Sequence, residues 1–102
     1  MYGEATEKVS GGKLVRVKVN FDNIIRDVQI TGDFFLHPED CIHEIENVLK
    51  NGSIDFQEDI VVEKINDALK KNNAELIGIY PETLSKTLKM AIENGKMATD
   101  TS

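Results

Sequence analysis

Gly32-Asp33-Phe34-Phe35-Leu36-His37-Pro38 stands where the periodicity of this chain changes, and that change decides the fold. Before it, apolar residues alternate with polar ones, the period of a half-buried strand. After it, they recur every three or four positions, the period of an amphipathic helix. The stretch therefore carries the chain from a sheet into a helical layer, which sets the class as α+β. It also holds two of the four phenylalanines in the sequence. On a strand, neighbouring side chains point to opposite faces, so one ring of the Phe34-Phe35 pair is expected in the core. The other emerges on the far side, as an interface anchor or under the chain's own N-terminal arm.

Upstream, Val15, Val17, Val19 and Phe21 share one face of a strand opening at Lys13, with Arg16, Lys18 and Asn20 on the other. Asp22-Asn23 tolerates left-handed backbone angles and reverses the chain. The return strand, Ile24 to Thr31, pairs antiparallel, with Val28 and Ile30 inward and Asp27, Gln29 and Thr31 outward. Gly32 ends the alternation where a bulge or close contact is tolerated, and a short third strand follows through Phe34 to Leu36. Residues 1–12 are polar, end in Ser10-Gly11-Gly12, and are expected to form a flexible arm.

Downstream, His37-Pro38-Glu39-Asp40 has the marks of a helix start, because proline fits the first helical position and acids complement the dipole. That helix is expected to reach Asn51, with Cys41, Ile42, Ile45, Val48 and Leu49 inward, Glu44, Glu46 and Lys50 in water, and Gly52 as its left-handed stop. Asp55-Phe56-Gln57-Glu58 resembles a capping box and opens a second helix to Lys71, whose stripe is Val61, Val62, Ile65, Ala68 and Leu69. Asn72-Asn73 ends it. Ala74 to Tyr80 reads as a packed connector. Pro81-Glu82 starts a last helix with Leu84, Leu88, Ala91 and Ile92 inward, closed by Asn94-Gly95, and 96–102 is expected as a frayed tail. One domain, 13–95, results: a small antiparallel sheet, hairpin plus short third strand, covered by about three helices.

At 102 residues there is room for a single modest core. The balance of 12 Lys plus Arg against 18 Asp plus Glu, net charge −6, opposes nucleic acid and anionic membranes as partners. Basic residues come nearest to clustering at Lys8, Lys13, Arg16 and Lys18, and at Lys70 and Lys71, each diluted by acids. The single cysteine, Cys41, excludes an internal disulfide and a cysteine-framed zinc site and fits a reducing compartment. No run has the length of a membrane span, and Met1 to Glu7 lacks the features of a signal peptide, so a cytoplasmic location is expected.

Candidate chemistry is sparse. Cys41 near a helix start has the position of an activated thiolate, but it shares the apolar stripe with Ile45, which favours a buried core thiol. His37, Glu39, Asp40 and His43 are close in sequence, yet a helix leaves Asp40 off the face shared by Glu39 and His43. A helix cap and a solvated face account for them without a metal. Gly11-Gly12-Lys13 lacks the spacing and following helix of a phosphate loop, and no nucleophile has a base near it in sequence. No catalytic residue or metal ligand is assigned.

Lys8-Val9-Ser10-Gly11-Gly12-Lys13-Leu14-Val15, an alternating hairpin, Gly32-Asp33-Phe34-Phe35, then helices and a Gly78-containing segment before Pro81-Glu82-Thr83-Leu84 resembles the C-terminal accessory domain of lipoate-protein ligases. It is most similar to the archaeal form, in which that domain is a separate small subunit. The resemblance runs from Lys8 to about Ile92. It implies a fold similar to iron–sulfur assembly scaffolds and a non-catalytic role beside a large catalytic subunit. That subunit would bind lipoate, ATP and magnesium, form lipoyl-adenylate and transfer the lipoyl group to a lysine of an acceptor domain. No cofactor is expected on this chain. Gly11, Gly12, Lys13, Gly32, Asp33, Phe34 and Phe35 are then the expected partner-binding residues, because glycines permit close approach and a surplus aromatic lies beside them. Lys13 has two readings, a cation at the mouth of the partner's site or an ordinary solvated strand lysine. The alternatives in function are an iron–sulfur assembly protein, which would need accessible cysteines, and a generic interaction adaptor.

Overall fold

The valines of Leu14–Phe21 build the central strand of a three-stranded antiparallel sheet in the computed structural model, which describes residues 1–9, 11 and 13–100. The elements run β1 (Tyr2–Lys8), β2 (Leu14–Phe21), β3 (Ile25–Gly32), β4 (Phe35–His37), α1 (Cys41–Leu49), α2 (Glu58–Lys71), β5 (Glu75–Ile77) and α3 (Pro81–Asp100). The α+β class holds. Val15, Val17, Val19 and Phe21 are buried as the alternation requires, and Asp22-Asn23 turns the chain into β3, where Val28 and Ile30 point inward.

The expected flexible arm is instead an edge strand, in register with β2 from Tyr2↔Asn20 to Lys8↔Leu14. Its inward positions are Gly3 and Ala5, too small to register as a hydrophobic period. Their smallness has a purpose in packing, since α3 lies directly over β1. A Cβ on Gly3 would collide with the Ala91 carbonyl, and one on Gly95 would come within 2.7 Å of the Phe21 ring and 2.8 Å of the Tyr2 carbonyl oxygen. Gly95 thus serves contact rather than termination, and α3 continues past the expected stop at Asn94-Gly95 through most of the expected tail. Asn94 donates its side-chain amide to the Glu4 carbonyl at 2.9 Å, tying the helix to the strand.

The segment expected as a connector contains β5, which pairs with β4 through Phe35↔Ile77, Leu36↔Leu76 and His37↔Glu75. The short third strand thus leaves the main sheet and forms a separate two-stranded ribbon. A three-residue strand is too short for alternation to distinguish it, and its partner is distant in sequence.

Helix boundaries shift for local reasons. Pro38 precedes α1: Cys41 N–H and Ile42 N–H donate to the Pro38 and Glu39 carbonyls, both at 3.1 Å, as a tight turn before the helix. The left-handed residue after α1 is Asn51, φ 69°, not Gly52, and Asn73, φ 52°, plays that part after α2. The expected capping box does not form, because α2 is preceded by Gln57 without a side-chain capping bond. Glu46, expected in water, is half-buried and its carboxylate accepts the Ile30 N–H at 2.8 Å, closing part of the β3 edge.

Between sheet and helices lie Ile45, Ile65, Leu84, Leu88 and Ile92, all essentially excluded from solvent. Buried Thr87 donates to the Thr83 carbonyl at 2.7 Å, and Ser85 reaches the Glu58 carbonyl at 3.4 Å. Gly95→Ala should lower unfolding stability by about 1–3 kcal/mol through overpacking. Gly52→Ala, whose added carbon meets nothing closer than 3.5 Å, should stay within roughly 0.5 kcal/mol. Urea midpoints that do not separate the two variants would remove the close approach as a determinant of the fold.

Candidate functional site

The start of β2 and the β3–β4 junction meet at one end of the sheet, and Asp33 locks them together. Its N–H donates to the Leu14 carbonyl at 3.1 Å while its carboxylate accepts the Leu14 N–H. A Cβ on Gly32 would overlap that same Leu14 carbonyl and press within 2.9 Å of the Phe34 ring, so only glycine fits. Gly32 and Asp33 are a clamp.

Beyond this clamp the strand expected from Phe34 to Leu36 runs instead from Phe35 to His37, so Phe34 precedes β4 and Phe35 opens it. Phe34 is half-buried against the core, and Phe35 is 64% exposed. Its cross-strand partner Ile77 is 50% exposed on the same ribbon face, and nearby in sequence Tyr80 is 73% exposed. Ile77, Gly78 and Tyr80 line a hollow of about 470 Å³.

Lys13 joins the two parts of this surface. Its ammonium stands 5.3 Å from the centre of the Phe35 ring, within cation–π range. Its aliphatic stem lies against Gly78, φ +99°, where a Cβ would come within 3.3 Å of Lys13 Cγ. Among the described residues no carboxylate pairs with Lys13, nor with Lys89, whose ammonium stands 5.3 Å from the centre of the Phe56 ring.

The expected partner-binding residues therefore separate by depth. Lys13 and Phe35 form the outer surface; Gly32, Asp33 and Phe34 hold it from beneath. Gly11 lies in the open β1–β2 turn with nothing within 4 Å of an added carbon, and Gly12 lies outside the described residues. Sequence reasoning missed Ile77, Gly78 and Tyr80, because they join the surface only through the β4–β5 pairing. A second cleft of about 270 Å³ runs between the end of β3 and α1, lined by Gly32, Phe34, Leu36, Glu39 and Ile42 among others.

Elsewhere the candidate chemistry disperses. Cys41 is buried, and its thiol is pushed above its ordinary pKa by burial and by the nearby Glu44 carboxylate, the reverse of activation. His43 Nδ1 lies 3.4 Å from the Glu46 carboxylate, and no three potential metal ligands gather among the described residues. Among those residues no helix is long and apolar enough to cross a membrane.

Fold and surface together define a small α+β domain that offers an apolar, lysine-topped patch. No protein-family model matches the chain. It is 38% identical over 81 residues, 76% of this chain and 78% of the relative, to lipoate-protein ligase A subunit 2 of Thermoplasma acidophilum. Its fold matches, at a TM-score of 0.71 and 31% identity, a chain of a solved archaeal lipoylation system from the same organism, a bipartite lipoate protein ligase with its E2 lipoyl domain. The match covers 86% of this chain and 94% of that one. The chain belongs to the lipoate-protein ligase A subunit 2 family.

The two rings should answer differently to truncation. Phe34→Ala should cost about 2 kcal/mol of stability, roughly half the figure for a fully buried ring, while Phe35→Ala should stay within about 0.5 kcal/mol. Equal losses in thermal melts would contradict the assignment of faces.

Proposed function

We propose that this chain is the non-catalytic small subunit of a bipartite lipoate-protein ligase, needed with a large catalytic subunit for ATP-dependent formation of lipoyl-adenylate. Its membership of the subunit 2 family carries the reading. Lipoate, ATP and magnesium belong to the large subunit in this account, acceptor domains are met only indirectly, and the assembly works in the cytoplasm. The large subunit docks on the patch around Phe35 and Ile77, with Lys13 beside them and Gly32, Asp33 and Phe34 beneath, and Gly11 and Gly12 are included among the proposed partner-binding residues. Exposed aromatic and aliphatic side chains on a rigid ribbon suit an interface anchor.

The iron–sulfur alternative is not favoured, because its chemistry needs an accessible thiol and Cys41 is 2% exposed. A generic adaptor is not favoured either, since the relatives are ligase components.

Adenylation brings a carboxylate and a triphosphate into line in a site shielded from water, and a closing subunit supplies geometry and shielding. Transfer starts from an activated adenylate and must admit an acceptor domain, so closure helps it little. The isolated chain should neither consume ATP nor bind lipoate, and adding it to the large subunit should switch on ATP–pyrophosphate exchange. Transfer from synthetic lipoyl-adenylate should proceed on the large subunit alone. Collapse of both steps without this chain would replace closure with a general structural role.

A further inference from the structure

We propose that the free edge of β1 pairs with the β1 edge of a second copy of this chain, joining two three-stranded sheets into one continuous sheet across a two-fold axis at Thr6. Phe21 N–H donates to the Met1 carbonyl and Val9 N–H to the Lys13 carbonyl, both at 2.9 Å, so between them Gly3, Ala5 and Glu7 are the residues that bond β2. In an antiparallel pair the intervening residues turn their backbone groups the other way. Tyr2, Glu4, Thr6 and Lys8 therefore present theirs to the open edge, where among the described residues the Glu4 carbonyl alone has a partner, the Asn94 amide at 2.9 Å. The opposite edge of the sheet is closed by its own chain: Glu46 accepts the Ile30 N–H at 2.8 Å, and Ile25 bonds Asn51 at 2.8 Å and Gly52 at 2.9 Å. The seven residues of β1 have no such closure beyond Asn94, and an open strand edge is a template for another strand.

The chemistry of this edge selects a copy of itself. On the outer face of the sheet it reads Glu4, Thr6, Lys8, all exposed. Set antiparallel against an identical strand about Thr6, each Glu4 faces the Lys8 of the other copy, which gives two opposite-charge cross-strand pairs in one register. Moving the register by two residues breaks both pairs, and moving it by four places like charges opposite each other. Within its own sheet Glu4 already lies opposite Lys18, so the joined sheet sets a cation on either side of its carboxylate. The helical layer follows the same axis. Lys86 pairs with Glu7 at 3.2 Å and Asn94 reaches Glu4, so Met90, between them on one row of α3, runs alongside the centre of β1. Met90 is 37% exposed, and its adaptable thioether would meet its own copy across the axis. β4 and β5 form a separate ribbon and take no part in this edge, so the pairing stands apart from the surface proposed for the large subunit.

Sedimentation equilibrium of the full chain, from micromolar to millimolar concentration, should show the 11.4 kDa chain passing into a species of twice that mass. Lys8→Glu changes an exposed side chain and, by the two-fold symmetry, sets a second carboxylate against both copies of Glu4. It should weaken the dimer about tenfold or more while leaving the thermal melt of the monomer in place. Adding Glu4→Lys to Lys8→Glu restores opposite charges across the axis and should recover most of the affinity, a rescue that no general loss of structure would give. Mixing with the large subunit should leave the pairing intact. A parent chain that stays monomeric throughout the range would overturn the proposal, as would a dimer indifferent to Lys8→Glu or one that the double variant fails to recover. A dimer that dissociates on adding the large subunit, with Lys8→Glu weakening that complex instead, would assign the edge to the large subunit and overturn the pairing of two copies.

Discussion

A helix can lie on a strand at backbone distance only where neither places a side chain between them. Gly3 on β1 and Gly95 on α3 provide that gap, and the Ala91 carbonyl and Phe21 ring fill it. Much else depends on this contact. It lets the longest helix of the fold cover both β1 and β2, and Val17, Val19, Phe21, Leu88, Ala91 and Ile92 share the buried core. It also turns a polar N-terminal segment with almost no hydrophobic side chains into a working third strand. Without it the sheet would be a two-stranded hairpin, which is marginal in water.

The opposite end of β2 carries the surface. There the Asp33–Leu14 exchange fixes the point at which the chain leaves the sheet, and the direction of β4 follows. Because β4 pairs with β5 rather than with β3, its outward ring is left exposed by the other described elements. The ribbon is short, and it gains rigidity from below, through Phe34 and buried Leu36. The exposed part is therefore rigid apolar surface on ordered backbone, a combination that reduces the entropy lost on association.

What the sequence disclosed follows the size of its side chains. β2 was legible because valine marks every second position, and β3 in its Val28–Ile30 half, whereas a register shift opposite Asn20 and Phe21 puts buried Ile25 out of that alternation; the inward stripes of the three helices were legible from large apolar residues three and four apart. β1 was not, since glycine and alanine leave no hydrophobic trace where the backbone itself is the contact. Termination signals misled in both directions: Gly95 stops nothing, and Asn51 takes the left-handed angle that Gly52 was expected to adopt. The site was legible in part. One buried and one exposed ring was expected of the Phe34–Phe35 pair, although only Phe35 lies on β4, whereas Ile77, Gly78 and Tyr80 join them only by a long-range pairing that no local pattern encodes.

The acidity of the chain and the proposed reaction between anions are reconciled by the distance dependence of screening. A net charge of −6 spread over the surface acts through solvent, where the Debye length is about 8 Å at physiological ionic strength. Charges on the far side of the domain are thus largely invisible to a nucleotide bound in a partner. What a docked partner would meet is the local surface, where exposed Phe35, Ile77 and Tyr80 and the Lys13 ammonium are accompanied by His37 and Glu75 on the same face of the ribbon. The overall charge then bears on solubility and discourages nucleic acid, while the groups at a contact decide what meets there.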